Sequence, residues 1–439
     1  MDTPICDFVK AYAESGKLRL HMPGHKGCGS LGVESLDITE ISGADSLYEA
    51  SGIIAKSEAN ASHLFGCPTF FSTEGASQCI RAMLYLCLLQ AKSEGKRPVI
   101  AAGRNAHKIL LSAAALLDFE IRWLYPECEG NYLSCPITPD ALNRTLSEMN
   151  EKPVAVYLTS PDYLGHMLPI AQLAQVAHDH GCLLAVDNAH GAYLKFLPES
   201  LHPMDLGADL CCSSAHKTLP VLTGGAYLHT SPALAGQAKN ALALFGSTSP
   251  SYLILQSLDQ ANKILAEDYS EALSATAKAV SQLKTRLNGY TFLGDEPMKL
   301  TIAAKHYGYT GTQLAQHLAR SGIEWEFSDP DFLTLMVSPE TGADGLKRLE
   351  KALAAIPCRT PQAEPPPRLF KPNSVLSIRE ALLSPWETIP VENSLGRILA
   401  TPSVGCPPAV PIVVCGEEID EAALQCFHYY GIQTCSVVK

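Results

Sequence analysis

The sequence has little charge and nowhere concentrates it. Asp, Glu, Lys and Arg make up 18% of its 439 residues, and the net charge of −12 is spread without long runs. There is no basic patch, which disfavours non-specific nucleic-acid binding. No apolar run reaches about 18 residues, so no segment is expected to span a membrane. The start, Met1-Asp-Thr-Pro-Ile-Cys-Asp7, lacks both the basic and the apolar region of a secretion signal. Fifteen cysteines are present, yet none falls in a Cys-x-x-Cys pair. A disulfide framework or a zinc site is therefore not expected, and buried free thiols in a reducing cytoplasm are. His21 and His25 could begin a metal site, but no carboxylate or thiol close in sequence completes a ligand set, so no metal is expected.

What is present is the patterning of a globular enzyme. At about 100–200 residues per domain the chain makes two or three domains with ample apolar core. Strand-like runs occur at 98–102, 120–124, 153–160, 182–187, 208–213 and 225–229. Helical windows lie among them, notably 78–92, 106–117, 138–149 and 170–180. Short, almost wholly apolar strands alternating with helices predict an α/β domain whose parallel or mixed sheet is covered on both faces. Residues 251–287 read as long helices, and 299–355 as a smaller α+β unit. The predicted layout is an N-terminal segment 1–58, a large domain 59–290, a small domain 291–356, a Pro-rich linker 357–374 and a C-terminal subdomain 375–439.

Four features fall in loops after strands of the large domain, where α/β sheets build their sites. Glu74-Gly-Ala-Ser77 precedes a helix, and the backbone N–H groups of a helix start with a serine hydroxyl suit a phosphate dianion. Ser77 in an ordinary capped first turn is the alternative. His107, in Asn105-Ala-His-Lys108, could stack on a heteroaromatic ring or simply be hydrogen-bonded in place. Asp187, at the end of the apolar run before Asn188-Ala-His190, is costly to bury without a partner. A protonated pyridine nitrogen would supply one; a helix cap or a salt bridge would do so equally. About thirty residues on, Ser214-Ala-His-Lys217 follows another short strand. A lysine held there can form a Schiff base with pyridoxal phosphate while the serine and histidine take its phosphate.

In this order the motifs resemble those of the Orn/Lys/Arg decarboxylases, in particular their short bacterial branch, among the fold-type I pyridoxal phosphate enzymes. The matching stretches are His21-Met-Pro-Gly-His-Lys-Gly27, Gly43-Ala-Asp-Ser-Leu47, Asn105-Ala-His-Lys108, Thr159-Ser-Pro-Asp-Tyr-Leu-Gly165, Asp187-Asn-Ala-His-Gly-Ala192, Ser214-Ala-His-Lys217 and Thr248-Ser-Pro-Ser-Tyr252. The resemblance implies a large domain with a mixed seven-stranded sheet, a smaller α+β C-terminal part and pyridoxal 5'-phosphate as cofactor. It further implies that Lys217 carries the cofactor, Asp187 pairs with its ring nitrogen and His107 stacks on the ring. Gly75, Ala76, Ser77, Ser214 and His216 would form the phosphate site and His190 would lie beside the cofactor. Thr248 would reach the phosphate of a neighbouring subunit, in a homodimer or higher oligomer with shared sites. The implied reaction is decarboxylation of arginine, lysine or ornithine.

The match thins in places. Glu74 replaces a small polar amide and Ala76 a hydroxyl, so phosphate binding would lean on backbone N–H groups and Glu74 would need a partner. In the segment 406–417, Cys406, Ala409 and Cys415 replace an aromatic, a glycine and a proline. For the distal cation of a basic substrate Asp45, Glu417 and Glu418 are candidates only, each read first as a solvated surface carboxylate. Two other readings stay open: an aminotransferase or other lyase, with Arg320, Arg348 or Arg397 clamping a substrate carboxylate, and a non-catalytic paralogue acting as a binding partner.

Overall fold

The structure, a computed structural model, describes every residue except 94, 96, 97, 128–130 and 407–409. Ala409 therefore lies outside the described residues, and for Cys406 only the backbone is described. Seven short strands are laid down in chain order: β1 (Thr69–Ser72), β2 (Val99–Gly103), β3 (Glu120–Leu124), β4 (Ala155–Thr159), β5 (Leu183–Asp187), β6 (Leu210–Ser213) and β7 (Ala226–Thr230). They make one mixed sheet in the order β1-β7-β6-β5-β4-β2-β3. β2 and β7 are buried at every position, the pattern of strands covered on both faces. β5 is half-buried only at Leu183.

One strand was not legible in the sequence. In the sequence Phe70 to Ser77 reads as a glycine-containing turn leading into a helix, whereas Thr69 to Ser72 pair antiparallel with His229 to Ala226. A four-residue apolar run beside glycine carries too little periodicity to separate strand from turn. The helices Pro4–Glu14 and Ile53–Phe65 were likewise unassigned. Both begin on a distant or pre-positioned acid. The Asp259 carboxylate accepts the Ile5 and Cys6 N–H groups at 2.9 and 3.0 Å and the Ser57 hydroxyl at 2.6 Å.

The chain divides into two compact units. The first comprises residues 1–90 and 183–274 and the second residues 91–182 and 275–439. Besides β2, β3 and β4, the second holds a four-stranded antiparallel sheet and two two-stranded ones. The former has the order β10-β11-β9-β8, from β8 (Phe292–Leu293), β9 (Lys299–Ala303), β10 (Phe327–Ser328) and β11 (Phe332–Met336). Within the α+β unit, residues 323–327 read as a strand in the sequence, but only the two-residue β10 forms there. β12 (Trp386–Pro390) pairs with β15 (Thr434–Val438), and β13 (Ser403–Cys406) with β14 (Val410–Val414). One apolar cluster, including Leu164, Phe332, Val391, Ile412 and Phe427, packs these sheets together. The Pro-rich segment has no regular element but is fastened: Arg359 N–H donates to Tyr307 O at 3.2 Å, Gln362 N–H to Lys305 O at 3.0 Å and the Lys305 ammonium to Glu364 O at 2.8 Å.

Candidate active site

Most of the expected site residues fall in the first unit, on the turns that follow β1, β5 and β6. The Gly75–Ser93 helix starts where β1 ends. Gly75 has φ +70°, a conformation open to glycine, and its N–H donates to Gly224 O at 2.7 Å. Gly75 thus shapes the turn but has spent its own donor, so an anion bound at this helix start would have to be met by the N–H groups of Ala76 and Ser77. Below them Ser72 donates to Gln78 Oε1 at 2.6 Å, and Gln78 Nε2 donates to the Tyr48 hydroxyl and Leu242 O at 2.8 and 2.9 Å. Glu74 has the partner it needed: its carboxylate accepts the Ser247 N–H in a short bond. Thr248, next along that loop, is exposed.

His216 belongs to this turn by position. A Cβ built on Gly75 would lie 4.0 Å from His216 Cε1. Nδ1 of His216 donates to Gly225 O at 3.0 Å, so Nε2 can donate to an anion only when the ring is protonated. The sequence reading passed over Gly224 and Gly225, although the adjacent glycines were a visible sign of a close backbone approach. A Cβ on Gly224 would come within 2.9 Å of Thr73 O.

Asp187 closes β5 and is 2% exposed. Its Oδ1 accepts the Ala189 N–H at 3.2 Å and the Cys212 thiol at 3.6 Å. Burial first, and the Asp187 charge second, push the Cys212 thiol well above its ordinary 9.0, so it stays protonated and donates. Three residues on, His190 Nε2 is 3.1 Å from Lys217 Nζ. Lys217 lies in a single helical turn, Ala215–Thr218, that starts at the buried Ser214 directly after β6. The unit therefore brings together the amine of Lys217 and the imidazole of His190, and holds the acid of Asp187 on the neighbouring strand end. Strand pairing does this: Asp187 is in register with Cys212, so the two turns issue from adjacent strands.

The donor set fits pyridoxal phosphate. A buried carboxylate on one strand end, an exposed lysine amine on the next, and a helix start with a φ-positive glycine and a histidine beside it match an acid for a ring nitrogen, an amine for an aldehyde and a cradle for a phosphate.

His107 belongs to the second unit. It follows β2 just before the Ile109–Leu117 helix, where its Nδ1 accepts the Ile109 N–H at 3.2 Å and its carbonyl the Leu110 N–H at 2.9 Å.

Two acids read as solvated surface carboxylates are instead buried. Asp45, 7% exposed, accepts the N–H groups of Ser51, Gly52, Ile54 and Ala55 at the start of the Ile53–Phe65 helix. Burial opposes its ionisation, but these donors outweigh it and hold the carboxyl below its ordinary value. Glu417, 1% exposed, receives Arg104 at 3.0 Å and the Val414 N–H at 2.8 Å. Burial raises the Glu417 carboxyl, and Arg104 draws it back. Arg104 also donates to Pro411 O and Ile412 O at 3.3 and 3.1 Å and lies 4.9 Å over the Trp123 ring. Glu418 is partly exposed and accepts from Asn373 at 3.2 Å. Of the arginines considered as carboxylate clamps, Arg348 donates to Ser321 O and Gly322 O, and Arg397 to Glu387 and Val438 O; Arg320 is exposed. His21 bonds the Tyr12 hydroxyl at 2.6 Å, and His25 bonds Asp37, twelve residues on, at 3.2 Å.

A mixed α/β sheet with a lysine, an acid and a φ-positive glycine turn on its strand ends is the arrangement that the class of pyridoxal phosphate enzymes requires. The comparisons narrow it. Residues 3–294 match the family model described as Orn/Lys/Arg decarboxylase, major domain, and the chain belongs to that family of amino acid decarboxylases. An arginine decarboxylase of Bacillus subtilis is 28% identical over 456 residues, covering 96% of this chain and 92% of that protein. One from Halalkalibacterium halodurans is 29% identical over 465 residues, with coverage of 96% and 92%. The fold matches that of a solved lysine decarboxylase from Francisella novicida with TM-score 0.79 at 15% identity, over all of this chain and 81% of that one.

Proposed function

We propose that this protein decarboxylates arginine, with pyridoxal phosphate held by the first unit. The observation that carries the cofactor reading is the placement of Lys217, His190 and Asp187 on the turns after β5 and β6, with His216 beside the Gly75 turn. The choice of arginine over lysine and ornithine rests on the curated relatives named arginine decarboxylase, which align over nearly the whole chain.

When bound, the cofactor supplies an electron sink for the pair released as the bond between Cα and the carboxylate breaks. The chain's part is to bind, orient and place charge. Lys217 provides the amine for covalent attachment. Asp187, a buried carboxylate at the end of β5, would favour a proton on the ring nitrogen. The N–H groups of Ala76 and Ser77, with the side chains of Ser77, Ser214 and His216, would answer the phosphate charge. Asp45 and Glu417 are committed to a helix start and to Arg104, so neither is assigned to the substrate's distal cation. The arginines proposed for a transaminase clamp give that reading no support, since Arg348 and Arg397 are tied to backbone carbonyls of their own unit.

The test is a panel of arginine, lysine and ornithine with purified, cofactor-loaded protein, following labelled carbon dioxide. Arginine should be turned over with the highest kcat/KM, giving agmatine. Preference for lysine or ornithine would correct the substrate, and release from none of the three would overturn the function.

A further inference from the structure

We propose that His190 receives the Lys217 amine whenever that amine is not bonded to the cofactor, holds it in reach and takes its proton before attachment. This rests on the cofactor reading above, and it assigns His190 to the lysine rather than to the cofactor.

The two partners differ in a way that suits this role. His190 is 5% exposed, whereas Lys217 is exposed at the end of a flexible four-carbon stem. The turn that presents His190 is rigid. Asn188 is fully buried, its N–H donates to Cys212 O at 3.0 Å and its amide to Ser213 Oγ at 3.1 Å. Gly191 N–H donates to Asn188 O at 2.9 Å. A Cβ on Gly191 would lie 2.0 Å from Asn188 Oδ1 and 2.6 Å from Leu194 Cδ1, so any larger residue there would have to displace both side chains. On the other side, Lys217 N–H bonds Ser214 O at 3.1 Å and the next turn closes with Leu219 N–H on Ala215 O at 2.8 Å. Both backbones are fixed, and the freedom left is that of the lysine side chain. The 3.1 Å contact restrains it.

The chemistry follows from the atoms in contact. An ammonium donates and cannot accept, so the contact requires a lone pair on His190 Nε2 and places the imidazole proton on Nδ1. An ammonium is not a nucleophile. His190 Nε2 is the atom placed to take one proton, leaving Lys217 as a neutral amine and His190 as imidazolium. The amine nitrogen then bonds the aldehyde carbon of pyridoxal phosphate, and the aldehyde oxygen leaves as water with the two remaining amine hydrogens. The C=N bond replaces C=O, no electron is gained or lost overall, and the proton stays on His190 until solvent removes it.

The test reads attachment, not turnover. Cofactor-free full-length protein is mixed with pyridoxal phosphate at neutral pH, quenched at intervals with borohydride, and the Lys217-containing peptide is quantified by mass. His190→Ala should form the Lys217 adduct about ten-fold or more slowly, as expected for loss of a proton acceptor, and added imidazole should restore much of the rate. His190→Gln, which can hold the amine but takes no proton, should be about three-fold slower than wild type and insensitive to imidazole. Either variant reacting at the wild-type rate overturns the inference, and so does a slow His190→Ala that imidazole leaves unchanged, since His190 would then be only structural. Should His190→Ala not fold, His190→Gln decides alone. A wild-type protein that forms no Lys217 adduct overturns the cofactor reading together with this one, whereas a wild-type adduct with unaffected variants removes only the role of His190.

Discussion

At the ends of β5 and β6, charge is presented; at the end of β2, it is consumed. Asp187 takes a backbone N–H and a thiol, and Lys217 is exposed against the ring of a buried histidine. Arg104, the residue after β2, is buried with Glu417, their side chains 0% and 2% exposed, and its terminal nitrogens also donate to carbonyls of Pro411 and Ile412 in the C-terminal segment. The first arrangement keeps a nucleophile accessible on a rigid base. The second fastens residues 313 apart in the chain, since a charge in so dry a place must be paired.

Three substitutions would break or sharpen this contrast. The largest effect is expected at Lys217. Lys217→Ala should abolish cofactor attachment and carbon dioxide release, yet leave the urea midpoint of the cofactor-free protein unchanged, because an exposed side chain contributes within about 0.5 kcal/mol. A shift of that midpoint would mean that Lys217 also fastens the fold. Next comes Glu417→Ala, which leaves Arg104 as an uncompensated buried charge and should cost about 3–5 kcal/mol in urea unfolding. Replacing Arg104 and Glu417 together by Met and Leu should recover most of that loss. Wild-type stability of Glu417→Ala would show that the pair fastens nothing.

The smallest effect concerns a third use of charge, in the turn between β10 and β11. Asp329 Oδ1 accepts the Asp331 and Phe332 N–H groups at 2.7 and 2.6 Å, while the neighbouring Asp331 pairs with Lys305 at 3.0 Å and accepts the Tyr429 hydroxyl at 2.7 Å. Burial, and then the Asp331 charge, raise the Asp329 carboxyl from an ordinary 3.8 to about 7 against the pull of the two N–H groups and Lys305. The folded state therefore holds a proton that the unfolded chain gives up. Its stabilising contribution is complete below pH 3.8 and is lost as pH rises to about 7. Asp329→Asn should flatten the fall in unfolding free energy over that interval and leave the protein more stable than wild type at pH 8. An unchanged pH profile would mean that Asp329 is ionised in the folded protein.

Most strands of the seven-stranded sheet were legible because they are short apolar runs, and the helices between them because they keep their period. The motifs of the candidate site were legible by position: Asp187, Ser214-Ala-His-Lys217 and the Gly75 turn each lie where a strand stops. β1 was not, because four residues beside a glycine turn look alike in either state. The fates of Asp45 and Glu417 were also hidden. Nothing near either residue in sequence distinguishes an acid that meets water from one that caps a helix or meets an arginine.

The sequence by itself determined the family, the alternation of strands and helices, and the order of the chemical groups along the chain. These depend on interactions within a few residues, or on motifs read in series. The tertiary structure alone decided which groups meet: that Gly75 has spent its N–H on Gly224, that Glu74 is answered by Ser247, that Glu417 belongs to Arg104, and that the lysine amine rests on His190. Each is a pairing between residues far apart in the chain, set by strand register and by the cost of leaving a buried polar group without a partner.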